Sequence, residues 1–512
     1  MTTLPGPFHS LGEFVDTLGE RRPDAPAFRF QQRTFTRAEV ASRATAVAAG
    51  WRAAGYSPGD VIGVVGESGP AFVLAILSAG RAGLVPVLLD PRLTTSEIDE
   101  ISARTRLCAL AVCASATTPS VPRPSFAFTE DGCAALVACG ADRAAPPLVR
   151  NSHAPALMLV TSGTSGHSRV VVLSAANLSS NIRAMAEVHP CDGGDVFLSV
   201  LPATHAFELT TGILGPLYCG GLVVFPESRN PNHLLQLLMT EGISHVNVVP
   251  AIVQMVVREL QDKGLGQQAA AFLFSRIRSI VCGGAPMAPG LVELLVRHHA
   301  PVWVGYGLTE TSPSVAAGRI DAVPVGSVGR ALPGIDLRVD GATGELLVRG
   351  PNVMIGYAGE PDATAGAIDG GWLRTGDVAR IDADGFVFIV GRLRDLIVTS
   401  AGTKIAPERI ESLYQSPLFA EVCAVGVPDD EGGGGERPHL LVRAASGQAP
   451  TTAALYAEFR RLSAAAGDAR ASGMTVIDAP LPRTRTMKVR RDLVARTFRS
   501  HARVTSEVSH AG

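Results

Sequence analysis

The sequence predicts an α/β protein. Short apolar runs alternate with helical segments along two long stretches, and 54 glycines and 35 prolines supply the turns that this alternation needs. At 512 residues the chain is too long for one compact core. We therefore predict a large N-terminal domain, residues 1–391, of two doubly wound βα lobes and a small β unit, followed by a small α/β C-terminal domain, residues 392–512.

The first lobe follows a repeating strand and helix pattern from Val61. The runs VIGVVG, LVPVLLD and LCALAVC are short, apolar and closed by turns, which predicts strands. Between them the pattern predicts helices from about Pro70 to Ala82 and from Thr94. This alternation is typical of a parallel, doubly wound sheet.

A second series of the same kind extends from about Val196 to Val304. Helical segments such as PNHLLQLLMTEG separate its predicted strands, which are FLSVLP, LVVFP, HVNVVP, SIVCGG and PVWVGYG. We therefore expect two βα lobes side by side.

The pattern changes between Ile320 and Val390. GELLVRG, GWLRTGDVARID and GFVFIVGR are short alternating runs with turns, which predicts a small antiparallel β unit. After Gly391-Arg392 a mixed α/β pattern returns, with a glycine-rich loop, Gly432 to Gly435, that we expect at the surface.

Charge and hydropathy argue against several partners. The net charge is −2 at pH 7, so no overall field attracts the chain to nucleic acid. The most apolar stretch, AFVLAILSAGRAGLVPVLL, is interrupted by Gly80, Arg81 and Pro86, which argues against an integral membrane span. No basic residue precedes Arg21, which argues against a secretory leader. We expect a cytoplasmic protein.

The eight cysteines include no C-x-x-C pair and no Cys/His cluster at zinc spacing. We interpret them as buried, small hydrophobic residues in a reducing compartment.

Three segments carry candidate chemistry. In LVTSGTSGHSRVV, Leu159 to Val171, glycines and hydroxyl groups follow an apolar strand, a composition that suits anion binding but is equally frequent in polar turns. In GYGLTE, Tyr306 offers a ring for stacking and Glu310 a hard oxygen ligand for Mg²⁺; the alternative is a strand end with a solvated Thr-Glu cap.

The third segment is RTGD, Arg374 to Asp377, with Arg392 fifteen residues after Asp377. A carboxylate and a guanidinium at this spacing could hold a ribose diol. Taken alone, the pattern favours a surface ion pair.

The order and spacing of these segments resemble the adenylate-forming superfamily of acyl-CoA synthetases, peptide-synthetase adenylation domains and luciferases, from about Phe14 to Val494. TSGTSGHSR is similar to its phosphate loop, YGLTE to its adenine and Mg²⁺ motif, and CGGAPM to its adenine wall. GELLVRGPNVMIGY and TGD resemble the strands before a ribose-binding aspartate, GRLRDLIVTSAGTKIAPERIE the hinge, and PRTRTMK the motif of a lysine that reaches the active site.

This resemblance implies a two-step reaction. A carboxylate and ATP, with Mg²⁺, form acyl-AMP and pyrophosphate, and a thiol of CoA or of a phosphopantetheine arm then displaces AMP. Lys488 would supply charge as the phosphoryl transition state forms. Only three of the 45 basic residues are lysines. A chance match is therefore improbable when one of them, Lys488, occupies the motif position.

The resemblance also assigns the other residues. Thr309 and His205 would be catalytic, and Glu310 would bind the metal. The expected nucleotide-binding residues are Thr161, Ser162, Gly163, Thr164, Ser165, Gly166, Arg169, Gly283, Gly284, Ala285, Tyr306, Gly307, Asp377 and Arg392. A mobile C-terminal domain would turn about Arg394, and Gly402 would line the thiol tunnel.

The acyl end is predicted in LPATHAFELTTGILGPLYCGG, Leu201 to Gly221. Its H-x-F-E form and the hinge sequence are closest in style to lipophilic acyl-CoA ligases. His205, Phe207 and Gly305 would line the substrate site. Glu208 either satisfies backbone groups at a helix start or pairs with a substrate amine, and we favour the structural role.

Three hypotheses follow. The first is an AMP-forming ligase that passes the acyl group to CoA, and the second passes it to a carrier protein, an amine or another nucleophile. The third is a nucleotide-binding protein with weakened turnover, because Ser168-Arg169-Val170 replaces the usual Pro-Lys-Gly and Met487 replaces the common glycine before Lys488.

Overall fold

The computed structural model describes residues 4–113, 123–141, 143–161, 168–262, 275–285, 287, 289–297, 299–429, 434–445, 450–483 and 489–498. Within these residues the strands are β1 (Pro26–Phe30), β2 (Arg33–Thr36), β3 (Val61–Val65), β4 (Val85–Leu89), β5 (Leu107–Cys113), β6 (Ser125–Phe128), β7 (Pro155–Thr161), β8 (Arg169–Ser174), β9 (Val196–Leu198), β10 (Leu222–Phe225), β11 (His245–Val248), β12 (Ser279–Cys282), β13 (Val302–Gly307), β14 (Ser314–Arg319), β15 (Arg330–Ala331), β16 (Asp336–Val339), β17 (Glu345–Arg349), β18 (Gly356–Tyr357), β19 (Ile368–Asp369), β20 (Trp372–Ile381), β21 (Val387–Arg392), β22 (Ile397–Val398), β23 (Lys404–Ile405), β24 (Phe419–Pro428), β25 (Glu436–Ala444) and β26 (Gly473–Ile477).

The α-helices in the same residues are α1 (Leu11–Glu20), α2 (Arg37–Ala53), α3 (Pro70–Arg81), α4 (Thr95–Thr105), α5 (Ala134–Cys139), α6 (Ala175–Val188), α7 (Gly215–Cys219), α8 (Pro231–Thr240), α9 (Pro250–Asp262), α10 (Pro289–Arg297), α11 (Pro361–Ala367), α12 (Pro407–Leu413) and α13 (Thr452–Ser463), with a last helix over 491–498. A π-helix, Glu208–Leu214, precedes α7. None of the helices in the described residues is long and apolar enough to cross a membrane.

Two large sheets confirm the two predicted lobes. One has the strand order β18-β8-β7-β4-β3-β5-β6, and its β3, β4, β5 and β7 run parallel. The other has the order β15-β14-β13-β12-β11-β9-β10-β1-β2. One apolar core cluster includes Val64 and Leu159 from the first sheet and Val223 from the second, so burial of apolar area holds both sheets together.

The predicted antiparallel unit is also confirmed. It has the order β16-β17-β20-β19, with β21 on β20. β24, β25 and β26 form a separate sheet over two smaller core clusters. The expected loop at Gly432 to Gly435 falls largely outside the described residues.

The interpretation of all eight cysteines as buried is wrong. Cys191 and Cys219 pair as a disulfide, and Cys139 on α5 is exposed. The pairing brings together the segment after α6 and the end of α7, residues 28 apart in sequence, which cysteine spacing alone does not indicate.

Candidate functional site

Asp377 is the centre of the candidate site. It lies on β20 directly opposite Arg392 on β21, and Arg392 Nε is 2.7 Å from its Oδ1. Tyr306, at the end of β13 in the other sheet, donates its hydroxyl to Asp377 Oδ2 at 2.6 Å. Asp377 is only 4% exposed. The spacing of fifteen residues is therefore a cross-strand register. The ion pair favoured for this pattern alone is present, but its carboxylate is buried rather than at the surface.

Local backbone groups orient this pair of residues. The Asp377 backbone N–H donates to Thr375 Oγ1 at 3.1 Å, and Arg392 Nη1 donates to the Thr375 carbonyl at 3.3 Å. Gly376, between Thr375 and Asp377, has a φ of +70°, which favours glycine. Burial and the neighbouring Asp377 raise the pKa of Tyr306 well above its usual range, so its hydroxyl remains a proton donor.

Arg374 does not take part in this cluster. It lies 2.6 Å from Glu345 on β17, whose side chain is nearly buried. The two arginines of this segment thus have different partners, and only Arg392 supports Asp377.

Glycines allow close contacts where β12 and β13 end. A Cβ on Gly307 would lie 1.8 Å from the Pro313 carbonyl oxygen, so this position admits only glycine without rearrangement. A Cβ on Gly283 would lie 3.5 Å from the Phe207 ring and 3.7 Å from the Gly305 carbonyl oxygen. The structure thus brings Phe207, Gly283 and Gly305 together.

The predicted metal ligand has a partner that sequence reasoning missed. Tyr357 donates its hydroxyl to Glu310 Oε1 at 3.0 Å, and the Arg169 guanidinium lies 4.9 Å from the Tyr357 ring centre. Arg169 Nε is also 3.8 Å from Glu360. β18, which carries Tyr357, pairs with β8, which begins at Arg169. Tyr357 ends the segment MIGY, which resembles a strand motif. Nothing in that motif indicates that the tyrosine contacts Glu310.

Only the ends of the predicted phosphate loop lie in the described residues. Thr161 closes β7, and its hydroxyl donates to the Arg169 carbonyl at 3.3 Å. Ser162, Gly163, Thr164, Ser165 and Gly166 lie outside the described residues. The other flank is held by Arg104, whose Nη1 donates to the Ser168 carbonyl at 2.5 Å.

Three further predicted residues lie along the β13 edge and β12. Thr309 begins a short 3₁₀ helix, Thr309–Thr311, and its carbonyl accepts the Ser312 backbone N–H. Gly284 follows β12 with a φ of +79°, and Ala285 is exposed after it. Both therefore follow directly after Gly283, which lies against Phe207.

The predicted acyl segment folds as a π-helix rather than as an ordinary helix start. Its Glu208 is completely buried. No hydrogen bond of ordinary geometry reaches either carboxylate oxygen from the described residues, although Ser199 and Arg229 lie close enough to offset part of the burial. Burial raises the pKa of Glu208 to about 8, so the side chain is mainly neutral at pH 7. His205 precedes it in the turn that leads into the π-helix.

The predicted hinge and tunnel residues follow Arg392 in the chain. Arg394 is in a 3₁₀ turn, Leu393–Asp395, with its Nε 3.4 Å from Asp395. Gly402 lies in the turn between β22 and β23 with a φ of +77°, and the space that a Cβ would occupy there is open. Lys488 lies outside the described residues, and Arg483 and Val489, which flank its segment, form an antiparallel bridge.

Comparisons with known proteins identify the family. The family model described as AMP-binding enzyme matches residues 15–358. Over 445 residues the chain is 31% identical to a feruloyl-CoA synthase of Amycolatopsis sp, covering 83% of this chain and 87% of that protein. It is 30% identical to the fatty acid–[acyl-carrier-protein] ligase ScoC of Streptomyces coeruleorubidus, covering 85% and 87%.

A solved structure gives the same result. ATP-bound MatB from Rhodopseudomonas palustris superposes with a TM-score of 0.83 at 26% identity, covering 96% of this chain and 99% of MatB. The adenylate-forming resemblance and the α/β fold class predicted from sequence are confirmed.

Proposed function

The chain belongs to the AMP-binding enzyme family, and we propose that it activates a carboxylic acid with ATP as acyl-AMP, releases pyrophosphate, and transfers the acyl group to a thiol. The observation that carries this proposal is the buried Asp377 carboxylate, held between Arg392 and Tyr306. Such a carboxylate suits the two hydroxyls of a ribose, because each can donate to one of its oxygens.

We assign the adenine to the glycine-lined edge beside Tyr306. Gly283, Gly284, Ala285 and Gly307 lie where β12 and β13 end, and ligands of open α/β sheets bind beyond the carboxyl ends of the strands. Thr161, the loop residues 162–166 and Arg169 would bind the phosphates, with Arg169 supplying the positive charge in place of lysine.

Glu310 fits the role of a Mg²⁺ ligand. Tyr357 donates to Oε1, and a carboxylate oxygen is a hard ligand of the kind that Mg²⁺ prefers. No cluster of three or more His, Cys, Asp or Glu side chains that could hold a metal occurs in the described part of the chain. This suits Mg²⁺, which typically binds one or two carboxylates together with substrate phosphates and neutralises phosphate charge.

The chain's own residues would carry the remaining chemistry. Thr309 would bind phosphate oxygens through its hydroxyl, and His205 would orient the substrate carboxylate at the acyl entrance. Lys488 would stabilise the negative charge that develops on the α-phosphoryl oxygens. Phe207, Gly305 and Glu208 would shape the acyl site, with Glu208 in a structural role.

We propose two domains, residues 1–391 and 392–512, with rotation near Arg394 between the two half-reactions and Gly402 at the thiol tunnel. CoA is the proposed acceptor, and a carrier protein is the second candidate because relatives named for each acceptor have similar identity. A cytoplasmic location is part of the same proposal.

Incubation with ATP, Mg²⁺ and a panel of carboxylic acids tests the function. We expect acid-dependent pyrophosphate release and, with CoA, a new thioester detected by mass spectrometry. Thioester on a holo-carrier protein but not on CoA would select the second acceptor. Tight ATP binding without pyrophosphate release for any acid would contradict the proposal and favour a nucleotide-binding protein without turnover.

A further inference from the structure

A cavity of about 210 Å³ lies among the segment before α1, the helices α1 and α7, and the start of α2. A single enclosed water needs roughly 10–15 Å³, so this cavity has room for a small molecule. Leu217 and Tyr218 lie at the end of the predicted acyl segment, but none of the described residues assigned to ATP, Mg²⁺ or the acid lines the cavity. The proposed reaction therefore does not account for it.

Arg37, the first residue of α2, has an unusual environment in the cavity wall. It is only 3% exposed and is one of two buried arginines in the described part of the chain. The other, Arg81, has its Nε 2.8 Å from an Asp16 carboxylate oxygen. Arg37 instead donates from Nε to the Arg21 carbonyl at 2.8 Å and from Nη1 to the Leu217 carbonyl at 2.9 Å. Its Nη2 makes no hydrogen bond to any residue that the structure describes. Buried cations are normally paired, so a ligand in the cavity could supply the missing anion.

The charges near Arg37 favour an anion. Arg21 lines the same cavity. Burial, together with the positive charges of Arg22 and Arg21, lowers the pKa of Arg37 to about 10, which keeps Arg37 charged at neutral pH. Glu13 is the one acidic residue in the described lining, and its Oε2 accepts the His9 backbone N–H at 2.8 Å. Two cations therefore line the cavity with one carboxylate that already has a hydrogen-bond partner.

The rest of the wall is mainly apolar and is held in place. Phe8, Phe14 and Leu18 supply apolar surface. The Tyr218 hydroxyl donates to the Pro5 carbonyl at 2.5 Å, which fixes the segment before α1 against α7. A ligand with one charged end and an apolar body would match both parts of the wall.

We propose that this cavity binds a small oxyanion with a short apolar body, and that Arg37 is its main polar contact. The planar guanidinium matches carboxylate, sulfonate and phosphate groups, and a charge-assisted hydrogen bond is roughly twice as strong as a neutral one. The inference does not rest on the proposed function, because it concerns binding alone.

Isothermal titration calorimetry of the full chain at constant ionic strength tests the site with ligands of equal chain length. Hexanoate, hexanesulfonate and hexyl phosphate carry the three anionic head groups, and hexanol and hexylammonium are their neutral and cationic counterparts. We expect at least one anion to bind about tenfold more tightly than hexanol, and hexylammonium to bind more weakly than hexanol. The tightest anion identifies the head group. Equal binding of hexanol, or no binding of any anion, would overturn the proposal.

Variants assign the binding to this cavity. Arg37→Met should weaken the tightest anion about tenfold or more. Thr17→Phe should fill the cavity while both arginines remain, and it keeps the test decisive if Arg37→Met does not fold. Thr45→Phe is the matched control, because Thr45 is half-buried on α2, as Thr17 is on α1, but does not line the cavity. Unchanged affinity in either test variant, or an equal loss in Thr45→Phe, would contradict the assignment.

Competition separates this cavity from the nucleotide site. Binding of the tightest anion should persist in the presence of saturating ATP without added acid, because none of the described residues assigned to ATP lines the cavity. Displacement of the anion by ATP would place it in the nucleotide site and overturn the proposal.

Discussion

The N-terminal part and the C-terminal part stabilise glutamates of low exposure differently. Glu208 is fully buried in the π-helix and is mainly neutral because burial raises its pKa. In the C-terminal part, Arg491 is 2.9 Å from Glu408 and pairs with Glu411, which also accepts the Ala424 backbone N–H. Burial costs a carboxylate several kcal/mol unless a partner compensates. Burial raises the pKa of Glu411 as well, but there the paired Arg491 guanidinium opposes the rise, whereas Glu208 pairs with no cation in the described residues.

The size of the apolar core explains why the two parts differ. One cluster joins the two large sheets, whereas the C-terminal part has two smaller clusters. A small core supplies less stabilisation, so ion pairs between its elements matter more. Arg443 and Arg483 both reach Glu421, at 2.7 Å and 2.6 Å, which ties β25 and the segment before Lys488 to β24. The C-terminal part is therefore the more sensitive to loss of charge.

We expect the largest effect from removing Lys488. This residue of the C-terminal part would supply positive charge to acyl-AMP formation in the N-terminal part. Lys488→Ala should slow acyl-AMP formation by about 10³ or more and leave thioester formation from supplied acyl-AMP largely intact, because about 3 kcal/mol or more of charge stabilisation is lost. Single-turnover assays of each half-reaction would measure this. Arg460→Ala, a change of an exposed cation on α13 outside every assigned motif, is the control. Equal loss in both half-reactions would refute the assignment.

The next effect concerns stability. Arg491→Met should destabilise the C-terminal part by about 3 kcal/mol, because Glu408 and Glu411 lose their shared cation. Hydrogen exchange of β24 amides would show the local opening. Arg461→Met, which breaks an exposed pair with Glu458, should cost less than about 1 kcal/mol. Similar losses for the two variants would mean that the buried network contributes no more than a surface pair.

In the N-terminal part, Asp377→Asn should weaken ATP binding about 100-fold, because Arg392 loses its carboxylate and the ribose loses its acceptor. Isothermal titration calorimetry would measure this without turnover. Asp336→Asn removes a carboxylate from an exposed arginine pair in the same β unit and should leave ATP affinity unchanged. An unchanged ATP affinity of Asp377→Asn would show that the ribose binds at another site.

These contrasts also show where sequence reasoning succeeds. Strand periodicity predicts both large sheets, because local alternation of apolar runs reports directly on parallel sheets. It does not predict that β1 and β2 join the second sheet, or that Tyr357 pairs with Glu310, because such contacts join residues far apart in the chain. The charge state of Glu208 depends on its complete burial, which no local pattern reports. The fifteen-residue spacing between Asp377 and Arg392 indicates a possible pair, but the strand register that buries its carboxylate comes from the structure.

A smaller effect should follow from blocking the thiol path. Gly402→Leu should lower transfer to the thiol at least tenfold while pyrophosphate release in one turnover stays near normal, because the added side chain would obstruct the proposed tunnel. Gly467→Leu is the matched control: Gly467 also has a positive φ and open surroundings in the C-terminal part, so it carries the same backbone strain. Parallel loss of both half-reactions in Gly402→Leu alone would contradict alternation between two orientations.

The smallest effect tests the neutral state of Glu208 itself. Its pKa is about 8 in the folded protein against an ordinary value of 4.5, so the unfolded chain releases the proton first as pH rises. The folded state then binds more protons, and its stability relative to Glu208→Gln should fall across pH 4.5 to 8, by up to about 1.4 kcal/mol per pH unit. Denaturant unfolding at pH 6 and pH 7 should therefore show a difference of about 1 kcal/mol. Glu458→Gln is the control, because Arg461 lowers the pKa of Glu458 to about 2 and its contribution is constant in this range. A flat difference for Glu208→Gln would mean that the carboxylate is ionised, and that the N-terminal part, like the C-terminal part, supplies its buried glutamate with a compensating partner.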